Sequence, residues 1–318
     1  MAEDEFAIIR RYFEGIGKPR DTTRLGIGDD AAVVELPPGM QQVMSMDTLI
    51  GGVHFPTQTA PRDIAHKALA VNLSDLAAMA ATPAWFLLSL SIPEADDGWL
   101  QDFSAGLCET AIKHDIELVG GDTCRGQLSI TIQVTGLVPN EAWVGRAGAR
   151  PGDLVVVSGQ LGNAGLGLAH LQGRVRLPEE HRDTCLQALN RPRPRLDLVG
   201  FLREFATAAI DISDGLRGDL AHLLDASDCG AEIERAALPM NPWARREQLH
   251  DYALAAGDDY EICCTVPGRY QSEIDDWNRH NPEHGLTVIG EIVGSGFRLR
   301  TDDDWIDLRD SGGFRHFH

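Results

Sequence analysis

Residues 26–34 read Gly-Ile-Gly-Asp-Asp-Ala-Ala-Val-Val, and this stretch limits the possible folds more than any other. Gly26 and Gly28 permit backbone conformations that residues with side chains resist. Ala31 to Val34 is an apolar run that reads as a short buried strand. Asp29 and Asp30 are therefore expected at the mouth of a strand, where two adjacent like charges repel. A fold gains nothing from that placement unless a cation neutralises it. Acidic turns of this kind recur at Ser45-Met46-Asp47-Thr48, Asn72-Leu73-Ser74-Asp75, Gly120-Gly121-Asp122-Thr123, Asp211-Ile212-Ser213-Asp214-Gly215 and Gly257-Asp258-Asp259-Tyr260.

Asp30, Asp47, Asp75, Asp122, Asp211 and Asp214 outnumber the general acids and bases that one reaction needs. No histidine or cysteine group has zinc spacing. Oxygen ligands alone select Mg²⁺, Mn²⁺ or Ca²⁺, and Mg²⁺ commonly bridges carboxylates to substrate phosphates. An acid-rich site with several metals thus points to nucleotide phosphate chemistry. A net charge of −20 argues against nucleic acid or an anionic membrane as the main partner. No apolar run approaches the ~20 residues that span a bilayer. The acidic start, Met1-Ala2-Glu3-Asp4-Glu5, has no signal-peptide core, and the six scattered cysteines suit reduced thiols. The cytoplasm is the expected compartment.

The chain of 318 residues suits two domains, with a boundary near Gly148 to Gly152 giving 1–148 and 149–318. Strands and helices are intermixed in both, an α/β (mixed α+β) pattern. A short amphipathic helix is expected over Glu5–Phe13, and strands over 42–46, 85–92, 116–119, 128–138 and 154–157. A long helix is expected from Asp63 to Ala80, so Asp75 either meets a cation or donors inside it, or caps a break at 72–74. Asn72, three residues earlier, shares its face. Asp47 is expected just past the second strand. His54, in Gly51-Gly52-Val53-His54-Phe55, is either a packing residue or a contact to phosphate or substrate. Arg146 is either a solvated arginine or a phosphate clamp. Residues 158–168 form a glycine-rich loop leading to a helix and could cradle a phosphate, although the spacing matches neither dinucleotide nor P-loop motifs. The aromatic tail around Phe314 either packs or covers a ring-bearing ligand.

In order and spacing, GIGDDAAVV, SMDTLIGGVHF, KALAVNLSDLAAM, VGGDTCRG, GRAGARPGD, AIDISDGL and GDDYEI resemble the bacterial thiamine-monophosphate kinases, within the aminoimidazole ribonucleotide synthetase-like superfamily. The resemblance runs nearly end to end. It implies ATP-dependent phosphorylation of thiamine monophosphate to thiamine diphosphate, with several Mg²⁺ ions. It also implies a homodimer formed through the amino-terminal sheets, with nucleotide bound near that interface. By the same resemblance Asp30, Ser45, Asp47, Asp75, Asp122, Asp211 and Asp214 are metal positions, and Met46 contributes its backbone carbonyl. Gly121, Asp122, Arg146 and Ser213 match nucleotide positions, and His54, Asp258 and Phe314 match substrate positions. Asp258 departs from the family's usual glutamate by one methylene. Competing readings are a formyl-amide synthetase of the same superfamily, a Ca²⁺ or nucleotide-binding regulator, and a dinucleotide oxidoreductase resting on Gly159–Gly167.

Overall fold

The computed structural model describes residues 5–283, 285–302 and 304–309. Phe314 lies outside them. The chain divides into two compact units, one of Met1–Leu76 with Ala81–Trp143 and one of Ala77–Ala80 with Val144–His318.

The first unit holds a helical turn α1 (Glu5–Ile8), strands β1 (Thr23–Leu25), β2 (Val33–Val34), β3 (Met40–Ile50), β4 (Thr82–Ile92), β5 (Glu117–Arg125) and β6 (Ser129–Pro139), and helices α2 (Pro61–Ala78) and α3 (Asp97–Lys113). The expected first helix is only one turn of α-helix; Ile9–Phe13 continues it as a π-helix that buries Tyr12 and Phe13. The main sheet runs β3-β6-β4-β5, with β4 and β5 parallel and the other pairs antiparallel. Alternation decides its two faces. Ile130, Ile132 and Val134 of β6 and Leu88 and Leu90 of β4 are buried. Residues between them, such as Thr131 and Gln133, stay partly exposed. Met44 and Met46 of β3 are 65% and 63% exposed on that open face, with Ile50 and Leu87 also exposed.

Helix α2 needs no polar stripe. Ala65, Ala68, Leu69, Ala70, Leu73, Leu76 and Ala77 are all 0–1% exposed, a helix buried almost all round. It meets α3 where a Cβ on Gly106 would fall 2.4 Å from the Arg62 carbonyl oxygen. His66 Nδ1 and Thr110 Oγ1 lie 3.0 Å apart beside that crossing.

The second unit holds strands β7 (Asp153–Ser158), β8 (Ala208–Asp211), β9 (Gly230–Glu234), β10 (Ile262–Pro267), β11 (Leu286–Val293), β12 (Phe297–Arg300) and β13 (Trp305–Asp307). Its helices are α4 (Asn163–Leu171), α5 (Glu179–Asn190), α6 (Val199–Phe205), α7 (Leu216–Ser227), α8 (Pro242–Arg246), α9 (His250–Ala255) and α10 (Gln271–His280). The strands form one sheet in the order β13-β12-β9-β11-β7-β10-β8. Among the described residues only β9 and β12 pair in parallel in this sheet. The sheet is covered on both faces. Val155 and Val157 point into a core with Leu166, Leu220 and Leu223 of α4 and α7. Val156 points the other way, to Phe201 and Leu202 of α6 and Ile274 of α10. This explains why the strand reads as a continuous apolar run and not as an alternating one.

Candidate active site

The stretch 26–34 does not form the expected buried strand. It is the tip of a two-stranded ribbon in which Thr23 pairs with Val34 and Leu25 with Val33. Val33 is 50% exposed, while Ala32 and Val34 rest on the cluster of Ala84, Trp85, Val119 and Leu137. A two-stranded ribbon buries one face at most, so only alternate residues of an apolar run are covered. Asp29 and Asp30 are exposed at the tip, and the Asp30 amide donates to Asp29 Oδ1. Thr23 ties the ribbon to the sheet: its hydroxyl donates to Glu117 (2.6 Å) and accepts from the Trp85 indole (3.0 Å).

Asp47 does not follow a strand. It sits inside β3, opposite Ile132, on the covered face. Ser45 shares that face, and Ser45 Oγ donates to Asp75 Oδ2 at 2.5 Å. Asp75 stands within the unbroken helix α2, so the capping alternative is excluded. Asn72 lies one turn earlier. Its Oδ1 accepts the Asp47 amide at 3.0 Å, and its side-chain amide donates to the Ala68 carbonyl. Burial, and then the neighbouring charge of Asp75, push the Asp47 carboxyl up to about 6. Ser45, Asp47 and Asp75 thus form an oxygen-only cluster whose acids repel when both are ionised. Met46 points to the opposite, open face.

Gly120–Thr123 is likewise not a turn but part of β5. Asp122 is exposed and lies across from Ser89 and, through β4 and β6, from Thr131 and Thr48. It therefore occupies the open face, opposite to Asp47. Gly121 has φ +152°, and a Cβ there would fall 1.9 Å from the Leu88 carbonyl oxygen. Only glycine fits that approach. His54 Nδ1 accepts the Ile50 amide at 3.0 Å, so the other ring nitrogen carries the proton in the neutral form. Lys67, 2% exposed on α2, donates to the His54 carbonyl and fastens this loop. Its place in KALAVNLSDL was visible in the sequence, but nothing local marked it as holding a loop thirteen residues earlier.

In the second unit Asp211 is buried at the end of β8, opposite Ile262. Ser213 and Asp214 follow in the turn before α7. That turn is held from beneath by Asp219, which accepts the amides of Asp214 (3.0 Å) and Gly215 (3.1 Å). Burial pushes the Asp219 carboxyl up to about 7 against those hydrogen bonds. Arg146 is exposed in a loop clasped by Ser227, whose hydroxyl donates to the Arg146 carbonyl and accepts from the Gly148 and Ala149 amides. Asp258 hydrogen-bonds through its amide to the Ser213 carbonyl, and Tyr260 Oη donates to Asp258 Oδ1 at 3.3 Å.

The glycine-rich loop before α4 is already engaged by a carboxyl group of the chain itself, whose pKa burial pushes well above the ordinary carboxylate value. Both Asp259 carboxylate oxygens accept the Gly162 amide, at 3.0 and 2.8 Å, and the Ala164 amide joins them. An internal carboxyl group thus takes two of the amides that a phosphate or a dinucleotide would use at this helix start, which counts against either site there. The Arg-Pro-Arg-Pro-Arg run hides one buried cation. Arg195, 1% exposed, binds Asp197 with two nitrogens and Glu261 at 2.7 Å. Among the described residues no three His, Cys, Asp or Glu side chains gather closely enough to hold a metal by themselves.

Residues 28–138 match the AIR synthase related protein, N-terminal domain, and residues 150–302 match its C-terminal domain. The chain is 44% identical to the thiamine-monophosphate kinase of Escherichia coli K12, over 100% of this chain and 99% of that protein. The crystal structure of thiamine-monophosphate kinase from Stenotrophomonas maltophilia K279a superposes with a TM-score of 0.83 at 40% identity, covering 92% of this chain and 94% of that one. AaThiL complexed with AMPPCP and TMP gives a TM-score of 0.76 at 32% identity, covering 92% of each chain. The chain belongs to the thiamine-monophosphate kinase family.

Proposed function

We propose that this protein transfers the γ-phosphoryl group of ATP to thiamine monophosphate, giving thiamine diphosphate and ADP. The observation that carries this is end-to-end similarity to thiamine-monophosphate kinases, one of them solved with an ATP analogue and TMP.

A phosphate monoester has its second pKa near ~6 and is largely dianionic at neutral pH. It attacks without a general base; the obstacle is repulsion between two anions. Magnesium, when bound, supplies neutralising charge to both phosphates. The oxygen-only set of Ser45, Asp47 and Asp75 fits such a hard cation, because its donors are all oxygens and the charge of Asp75 raises the proton affinity of the neighbouring Asp47. We assign Asp30, Asp122, Asp211, Asp214 and the Met46 carbonyl to metal binding as well. Gly121, Asp122, Arg146 and Ser213 are assigned to the nucleotide, with the Arg146 guanidinium meeting phosphate oxygens. His54 and Asp258 are assigned to the acceptor. These groups align the partners for in-line transfer with no phospho-enzyme.

We also propose a cytoplasmic homodimer. The open sheet face with Met44, Met46, Ile50 and Leu87, flanked by edge strand β3, supports pairing of two copies. The six cysteines are free thiols, which supports a reducing compartment.

The test is ADP release from Mg-ATP with thiamine monophosphate, with thiamine, and with EDTA. Release that requires both the monophosphate and Mg²⁺ is expected. Equal release with thiamine would move the acceptor from phosphate to hydroxyl, and no release in any mixture would overturn the kinase reading.

A further inference from the structure

The segment Asp258-Asp259-Tyr260-Glu261 is built in two directions. Asp258 and Tyr260 both have left-handed backbone, with φ +69° and +50°. That conformation is uncommon for any residue other than glycine and rare for a tyrosine. The Asp258 and Tyr260 amides donate to the carbonyls of Ser213 and Ile212, each at 2.8 Å. Asp258 and Tyr260 meet each other through their side chains. The alternate residues turn away from them. Asp259 grips the amides of Gly162 and Ala164 at the start of α4. Glu261 accepts from Arg195 and from Ser158 Oγ, and Ser158 Oγ in turn accepts the Ile262 amide at 2.9 Å.

The surroundings leave little slack. A Cβ at Gly159 would fall 2.0 Å from Glu261 Oε1, and one at Gly162 would fall 2.6 Å from the Tyr252 backbone. One at Gly257 would fall 2.3 Å from the Ser213 carbonyl oxygen. Two strained residues persist only where their neighbours over-determine them. Here the over-determination comes from acids that the phosphoryl transfer itself does not use.

We propose that Asp259, backed by the Arg195–Glu261 ion pair, is a positioning residue that holds the Asp258 carboxylate in place for the organic part of the acceptor. The inference rests on the reading above, in which Asp258 belongs to the acceptor site. Asp258 is a short side chain with one rotatable bond fewer than glutamate. It cannot search for its partner, so its backbone must be placed for it. Asp259 is the clamp that does so, and the acceptor's cationic ring is the group that a placed carboxylate recognises.

The experiment is a double-mutant cycle. The Michaelis constants for thiamine monophosphate and for ATP are measured in wild type, Asp258→Ala, Asp259→Asn and the double variant. Asp259→Asn is expected to raise the acceptor KM about tenfold with the ATP KM and kcat within about twofold. In the Asp258→Ala background the same change is expected to add nothing, since the residue it positions is gone. An equal effect in both backgrounds, or a parallel rise in the ATP KM, overturns the positioning role. Amide hydrogen exchange of residues 257–262 is read on the same proteins and needs no turnover. Faster exchange is expected in Asp259→Asn, and wild-type exchange overturns the clamp. Absence of acceptor-dependent ADP release in the wild type refutes the functional reading, while the exchange result still decides the clamp. If Asp259→Asn does not fold, Glu261→Gln serves the same cycle with the same two outcomes.

Discussion

Replacing Asp47 by asparagine is expected to make the metal-free protein more stable, although it removes a group assigned to the active site. The Asp47 carboxyl moves from 3.8 to about 6 in the fold, first through burial and then through the charge of Asp75. At ~1.36 kcal/mol per pH unit this corresponds to about 3 kcal/mol against the ionised form. Partial exposure of the residue lets water screen some of that, so 1–3 kcal/mol is the expected range, roughly. The sign follows from linkage. A carboxylate whose folded pKa exceeds its unfolded value binds its proton more tightly in the native state. Stability from this group is therefore whole below about pH 4, falls as pH rises, and is fully lost above about pH 6. Asparagine keeps the shape and can donate to Asp75 at every pH. Urea unfolding in EDTA at pH 4.5, 5.5, 6.5 and 7.5 reads the difference between variant and wild type. It is expected to grow from near zero to roughly 1–3 kcal/mol and then to level off. Added Mg²⁺ is expected to stabilise the variant less than the wild type, because the variant has lost one of the assigned metal ligands. A difference that stays constant with pH, or a wild type more stable than the variant in EDTA at pH 7.5, would refute the argument.

Asp75→Asn retains an acceptor for Ser45 Oγ, so it is expected to fold while losing turnover on the order of 100-fold or more; circular dichroism beside a steady-state assay checks both halves. Gly121→Ala brings a methyl against the Leu88 carbonyl oxygen and is expected to cost about 3 kcal/mol or more, read as a lowered denaturation midpoint. Arg195→Leu strands Glu261 and Asp197 without their guanidinium and is expected to cost about 3–5 kcal/mol. The further change Glu261→Leu should recover part of that loss, and a double variant no more stable than the single would count against the ion-pair account.

What could be seen in the sequence was whatever depends on neighbours along the chain. The alternation of β6 and the apolar length of α2 were plain, and so were the clustered acids, because the cost of like charges is local. What escaped was whatever depends on distant residues. Asp47 and Asp122 looked like strand-end acids, yet both lie within long strands whose extent is set by pairing with β6 and β4. The glycine loop before α4 looked vacant because its carboxylate comes from 97 residues later. Arg195 looked like one more surface charge in a basic run, since of its two acids Asp197 is near in sequence but Glu261 comes 66 residues later and is recognisable only once β10 is beside β7. Asp219 and Asp259 carried no sign of their role, because an acid that binds backbone amides reads in sequence like one that faces water.

Strand β3 has consequences for how the chain is made. It is an edge strand of eleven residues whose one sheet neighbour among the described strands is β6, residues Ser129–Pro139. About one hundred residues therefore leave the ribosome between the first residue of β3 and the last residue of its partner. At ~5–20 residues per second that interval is on the order of 5–20 s. Throughout it, Met44, Met46 and Ile50 belong to an unpaired strand, and the acids at 47 and 75 lack the sheet that orients them. The length of the interval in which β3 is exposed is thus written into the order of the strands, and slower synthesis lengthens it.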